Sequence, residues 1–189
     1  MNHLLLYESF KEDTGFKEAI VKWFETKDYV LYRNFEPRKQ IGKIIKVDAK
    51  HDSRYIGGGD VEDMMEEIVN GIKSKNRVPA DLQPVFCVID SPRTGFGKTY
   101  TMIPESPSYE FQSSQIEDLG YATATANLKE GPLVGADGEP MDLETAADSY
   151  RPPFAWKAKS SKMEVISFCN TYWLIEGMLD KKALLELVP

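Results

Sequence analysis

An α+β fold is what the order of patterns along this chain predicts, with mixed or antiparallel sheets between flanking helices. Three observations carry that expectation. Segments of helical and of strand periodicity do not alternate strictly: the order is helix, two strands, helix, several strands, a small-residue stretch, two strands and a helix. Only Asn170-Thr171 joins two late apolar runs, 163–169 and 172–175. At 189 residues, 42% hydrophobic and 28% charged, the chain has the size and composition of one soluble domain with its own core.

Phe16, Ile20, Trp23 and Phe24 recur at helical spacing among Lys and Glu, which predicts an amphipathic helix over 15–26 capped by Asp13 or Thr14. Aromatic and β-branched residues over 29–35 predict a strand, interrupted by one cation, Arg33. A second strand is expected over 41–47, and the polar 51–60, with Gly57, Gly58 and Gly59, as a loop. Met64, Met65, Ile68, Val69 and Ile72 line one face of a helix over 60–75. Its first turn holds Asp60, Glu62 and Asp63 and its last Lys73 and Lys75, each sign facing the helix-dipole end that suits it. Strands follow at 85–89, in the run from Lys98 to Pro104, and briefly at 109–112. Residues 120–161 are rich in Ala, Thr, Gly and Pro and are expected to form a peripheral insertion or lid. Within it Asp137-Gly138 signals a hairpin turn, 141–148 can make two helical turns, and Phe154 and Trp156 pin its end to the core. Strands at 163–169 and 172–175 and a Leu-rich helix over 181–188 complete the domain.

Composition excludes some functions. A net charge of −7 argues against a broad nucleic-acid-binding face, which needs a basic stripe. Cys87 and Cys169 both lie in apolar runs and are expected as buried free thiols of a reducing, cytoplasmic compartment. No stretch approaches the roughly 18 apolar residues of a membrane span, and Leu4-Leu5-Leu6 is too short for a signal-peptide core. His3 and His51 are the only histidines, and no metal-ligand spacing is present. Thr94-Gly95-Phe96-Gly97-Lys98-Thr99 imitates a phosphate-binding loop, but Pro92 stands where its first glycine belongs. Tyr100-Thr101-Met102-Ile103-Pro104 follows, which cannot open the helix such a loop requires. A strand starting near Lys98 is expected instead.

Three segments together resemble the ADP-ribosyltransferase superfamily. Val30-Leu31-Tyr32-Arg33-Asn34-Phe35 is similar to the strand carrying that family's arginine. Phe86-Cys87-Val88-Ile89-Asp90-Ser91, continuing to Phe96-Gly97-Lys98-Thr99-Tyr100, is similar to its strand, serine-bearing turn and aromatic-glycine run, above all in small phage-encoded members. Met163-Glu164-Val165-Ile166 is similar to the late strand that bears its glutamate. The resemblance spans about 29–119 and 162–176. It implies two sheets around a central cleft that takes NAD, breakage of the bond from ribose to nicotinamide, and transfer to a host protein target. It also implies catalytic roles for Arg33, Ser91 and Glu164, and cofactor contacts from Arg33, Arg54, Lys98 and Tyr100. Ser-Thr-Ser is reduced to Ser91, and Lys162 stands where a Glu-x-Glu or Gln-x-Glu pair would begin, which points away from the arginine-modifying subgroup.

Chemistry gives the same residues independent sense. Cleavage toward an oxocarbenium-like state needs one carboxylate near the ribose, and Glu164 is an acid inside an apolar strand. Arg33 can fix a phosphate or ribose, Arg54, Lys98 and the glycines 57–59 can add phosphate contacts, and Tyr100 can stack on a pyridinium ring. Plainer roles stand beside these. Glu164 on an outer strand face, Arg33 in a structural ion pair, Ser91 as a turn former, the glycines as a loop and Tyr100 in the core all fit the same residues. The function expected is therefore an NAD-dependent mono-ADP-ribosyltransferase, phage-encoded and acting on a host protein. The alternative is a non-catalytic inhibitor that binds and blocks a host protein, for which the acidic surface and the 120–161 stretch would serve. A nucleic-acid-modifying relative is opposed by the charge. Leu6-Tyr7-Glu8 resembles the Leu-x-Glu cleavage signals of proteins packaged in phage heads, which implies carriage in a virion.

Overall fold

The computed structural model describes residues 14–35, 44–51, 59–89, 97–153 and 163–188. Among them five helices flank an eight-stranded antiparallel sheet and a small hairpin, an α+β architecture. In chain order the elements are α1 (Thr14–Thr26), β1 (Leu31–Phe35), β2 (Ile44–Asp48), a 3-10 turn (Ala49–His51), α2 (Asp60–Asn76), β3 (Gln83–Val88), β4 (Lys98–Pro104) and β5 (Tyr109–Ser113). Then come α3 (Leu119–Leu128), the hairpin β6 (Leu133–Val134) and β7 (Pro140–Met141), and α4 (Leu143–Asp148). The chain closes with β8 (Tyr150–Arg151), β9 (Glu164–Cys169), β10 (Thr171–Glu176) and α5 (Lys181–Glu186). Lys98 opens a strand, as its sequence context requires.

The large sheet runs β2-β10-β4-β1-β3-β9-β5-β8. Its topology forces a fold in the sheet. β9 and β10 are joined by Asn170 alone but stand four strand steps apart, which in a flat sheet is roughly 19 Å at about 4.8 Å per step. Two Cα–Cα links span at most about 7.6 Å. The half β2-β10-β4-β1 therefore folds over the half β3-β9-β5-β8, and the crease lies where β1 and β3 pair only at Tyr32 with Val88. Burial agrees: Leu31, Tyr100, Met102 and Leu174 of one half share a core with Val85, Cys87, Val165 and Cys169 of the other. Both cysteines are buried and free.

Helices cover the outer faces. Phe16, Ile20 and Trp23 of α1 and Leu184 of α5 belong to the first core, where the Phe16 ring meets Trp173 edge-on at 5.5 Å. Val61, Met65, Ile68, Val69 and Ile72, the expected apolar face of α2 with Val61 in place of Met64, form a second core with Phe111, Ile166 and Phe168.

The stretch expected as a peripheral lid contributes to that second core over its described part, ending at 153. Ala126, Leu133, Ala146, Ala147 and Tyr150 are buried there, and β8 extends the sheet beyond β5. Small side chains replace bulk with close approach: a Cβ on Gly71 of α2 would lie 2.8 Å from the Ala147 Cβ. The expected hairpin turn is the β6–β7 connection, where Gly138 has φ +85°. The helix α3 is a finding beyond the sequence reading. Phe154 and Trp156 lie outside the described residues.

Candidate functional site

β1, β3 and β9 lie side by side in the sheet, and these are the strands that carry or lead to Arg33, Ser91 and Glu164. Arg33 stands third on β1, opposite Tyr100 of β4, which in turn faces Glu176 of β10. Glu164 opens β9 opposite Val88, itself paired with Tyr32. The row Arg33–Tyr100–Glu176 is thus next to the row Tyr32–Val88–Glu164. Ser91 and Arg54, with Gly57 and Gly58, fall outside the described residues.

Register separates the faces. Tyr32, Val88 and Glu164 form one row across the strands, and Arg33 is the next residue along β1. Because side chains alternate along a strand, Arg33 and Glu164 point to opposite faces of the sheet. Arg33 shares its face with Leu31 and Tyr100, between the two halves. Glu164 shares its face with Ile166 and Phe168, under α2 and α3.

Half-buried Arg33 donates from Nη1 to the Tyr172 hydroxyl at 3.0 Å, and its guanidinium lies 5.8 Å from the centre of that ring. This anchors the cation against a fully buried tyrosine. Tyr100 is only 2% exposed, so its ring is a wall of the core and no open stacking face. Burial, with Glu176 second, pushes its phenol above the usual range. Lys98 is exposed and pairs with Glu176 at 2.7 Å, whose hydrogen bond and charge raise its own titration. Thr99 Oγ1 donates to Asn34 Oδ1 at 3.0 Å beside this row. The row Arg33–Tyr100–Glu176, with Lys98 next to it, is thus the polar group that the fold assembles on the inner face.

Glu164 is half-buried and lies on the face of the sheet that packs beneath α3. Its Oε1 accepts from Leu119 N at 3.0 Å, the first residue of α3. Its own N–H donates to Glu117 O at 2.9 Å. Asp118 caps the same helix, accepting from Tyr121 N at 2.9 Å. The carboxylate therefore sits at the positive end of α3 and satisfies one of its orphan donors. Sequence reading missed this because α3, with Ala and Thr at its centre, shows no amphipathic stripe. It also passed over Glu176 and Tyr172, whose signal is their position at the two ends of the apolar run 172–175.

Among the described residues no group of three or more His, Cys, Asp and Glu side chains is placed to hold a metal ion. Nor is any helix among them long and apolar enough to cross a membrane. No family model, no curated protein and no solved structure matches this chain.

Proposed function

We propose that this protein is an NAD-consuming mono-ADP-ribosyltransferase, phage-encoded and directed at a host protein. The observation that carries the reading is the adjacency of β1, β3 and β9, three strands far apart in sequence. They bear Arg33, the approach to Ser91, and Glu164 in the order that the resemblance implies. NAD lying across these strand ends would meet Arg33 from the crease and Glu164 from the α3 side. In the reaction the bond from ribose C1′ to the nicotinamide nitrogen breaks, and nicotinamide leaves neutral with the bonding electron pair. The acceptor nucleophile of the target forms the new bond at C1′ and loses its proton. Glu164 would stabilise the positive charge that develops on the ribose, and Arg33 would hold a phosphate or ribose oxygen. Lys98, exposed on β4 two residues before Tyr100, can add to the phosphate field.

Labelled NAD incubated with the protein and host lysate tests the reading. Wild type is expected to label a discrete protein band, and Glu164→Gln to lower the rate by about 100- to 1,000-fold. Arg33→Ala should instead weaken NAD binding measured by calorimetry. No binding of NAD and no labelling by wild type would sink the proposal.

A second reading, a non-catalytic inhibitor of a host protein, is favoured by one observation. Tyr121 and Leu128, seven residues apart on one side of α3, are 74% and 84% exposed, and Val134 of the hairpin is also exposed. Apolar groups left on a surface of net charge −7 suit a protein contact. Host inhibition by wild type that persists in Glu164→Gln but is lost in Tyr121→Ser/Leu128→Ser would favour this reading over the first.

A further inference from the structure

The helix α3 gives one side to the core and sets an apolar crest on the other. Leu119, Thr123 and Ala126 are buried. At about 3.6 residues per turn, Tyr121 and Leu128 project from the opposite side, two turns or roughly 10 Å apart along the axis. Among the described residues they are the two most exposed large apolar side chains. Ala124 and Thr125, both small and half-buried, lie between them. Large apolar groups held in water on one crest mark a contact surface.

The crest reads the same in both directions: large, small, small, large. A second α3 running the opposite way brings its Leu128 to Tyr121 and its Tyr121 to Leu128, about a two-fold axis at Ala124 and Thr125. The small side chains at the axis let the two backbones approach closely. Charge follows the same symmetry. Glu117 and the capping Asp118 stand at the start of α3, and exposed Lys129 stands at its end. In the antiparallel pair, Lys129 of each copy comes beside the exposed Glu117 of the other, and the two helix dipoles lie antiparallel. Glu130 follows past the helix, where the chain turns with φ +48°. A partner of unrelated sequence needs no such palindrome; a second copy of this chain does.

We propose that the crest of α3 is a two-fold seam between two copies of this protein, with Tyr121 seated on Leu128 of the other copy. The seam is independent of the transferase chemistry, and it occupies the residues that the inhibitor reading assigns to a host protein. One ten-residue helix from each copy makes an interface smaller than the roughly 1,600 Å² of a standard complex, so association in the micromolar range is expected.

Sedimentation equilibrium of the full chain from about 1 to 300 μM tests this. Wild type is expected to pass from monomer to dimer. Tyr121→Ser/Leu128→Ser should stay monomeric with its melting temperature unchanged, because both side chains stand in solvent. Lys129→Glu and Glu117→Lys should each weaken the dimer about 5- to 10-fold, and an equimolar mixture of the two should associate as wild type does. Tyr121→Cys mixed with Leu128→Cys should form a disulfide between the two variants on mild oxidation. Neither alone should cross-link to itself, because like positions stand about 10 Å apart, beyond disulfide reach. The native Cys87 and Cys169 are buried and do not compete. Wild type that stays monomeric at every concentration overturns the proposal; if it then captures a host protein that the serine variant does not, the crest belongs to the inhibitor reading. A dimer that survives Tyr121→Ser/Leu128→Ser places the contact elsewhere and overturns it equally. Self-cross-linking of either cysteine variant, or a mixture of charge variants no tighter than its parts, refutes the antiparallel seam.

Discussion

Glu105 gathers three donors onto one carboxylate at the β4–β10 margin. Lys46 Nζ lies 2.7 Å and Trp173 Nε1 2.8 Å from Oε1, and the Thr171 hydroxyl donates to Oε2. Burial alone would raise its titration, but the hydrogen bonds from Lys46, Thr171 and Trp173 outweigh burial and hold it below the ordinary value. A carboxylate depressed on folding contributes stability that is present above its unfolded pKa and lost as pH falls through the folded one. Wild type should therefore melt above Glu105→Gln at neutral pH. The gap should close in acid, beginning near the ordinary carboxylate value of roughly 4; a gap of constant size from pH 7 to pH 2 would refute the assignment. Glu164 offers a second test at this scale. Glu164→Ala strips the acceptor from Leu119 N and should cost about 1 kcal/mol in denaturant unfolding, whereas Glu164→Gln keeps an acceptor oxygen and should cost less. Equal stability of all three proteins would show that the contact adds nothing to α3.

Gly71 decides how α2 and α4 meet. Alanine there would gain about 1 kcal/mol in helix propensity. Its Cβ, however, would stand 2.8 Å from Ala147 Cβ, and overpacking of that kind costs roughly 1–3 kcal/mol. The clash should win, so Gly71→Ala is expected to lower the melting temperature, and Gly71→Ala/Ala147→Gly to recover part of the loss. A more stable single variant would mean that the two helices part without penalty. The same contact explains why a segment poor in large aliphatics still builds core. Alanine and glycine let backbones approach, and burial follows from distance rather than bulk.

An ion pair ties the α1–β1 region to the far half of the folded sheet. Glu110 of β5 is buried, accepts from the Ser167 hydroxyl at 3.2 Å, and lies 2.5 Å from Lys27 Nζ just beyond α1. Removing the cation leaves an uncompensated buried charge, for which the cost is about 3–5 kcal/mol. Lys27→Met should thus lower the urea midpoint sharply, while Lys27→Met/Glu110→Leu should recover most of the loss. If the double variant is no better than the single, the pair is not what links the two halves. Lys181 with Asp28, both more exposed, makes a similar link from α5 at 2.6 Å, worth much less because solvent screens it.

Much of the element order was legible in the chain. Helices at 15–26 and 60–75 and strands at 29–35, 85–89 and 163–169 follow from 3.6- and 2-residue periodicities that need no distant partner. The α+β class followed from their order. Arg33 was legible as a cation inside an apolar run, but not its seat on Tyr172. Glu164 was legible as an acid in a strand, but not its bond to Leu119, because α3 shows no apolar stripe at helical spacing. Only the tertiary structure decided that β9 and β10 part at Asn170 to opposite halves of a folded sheet. It also decided that β1, β3 and β9 become neighbours, and that Arg33 and Glu164 fall on alternate faces. Periodicity is a property of adjacent residues and survives in the sequence. Strand order and register are set by which distant apolar faces bury one another, and a shift of one residue turns every side chain to the other face.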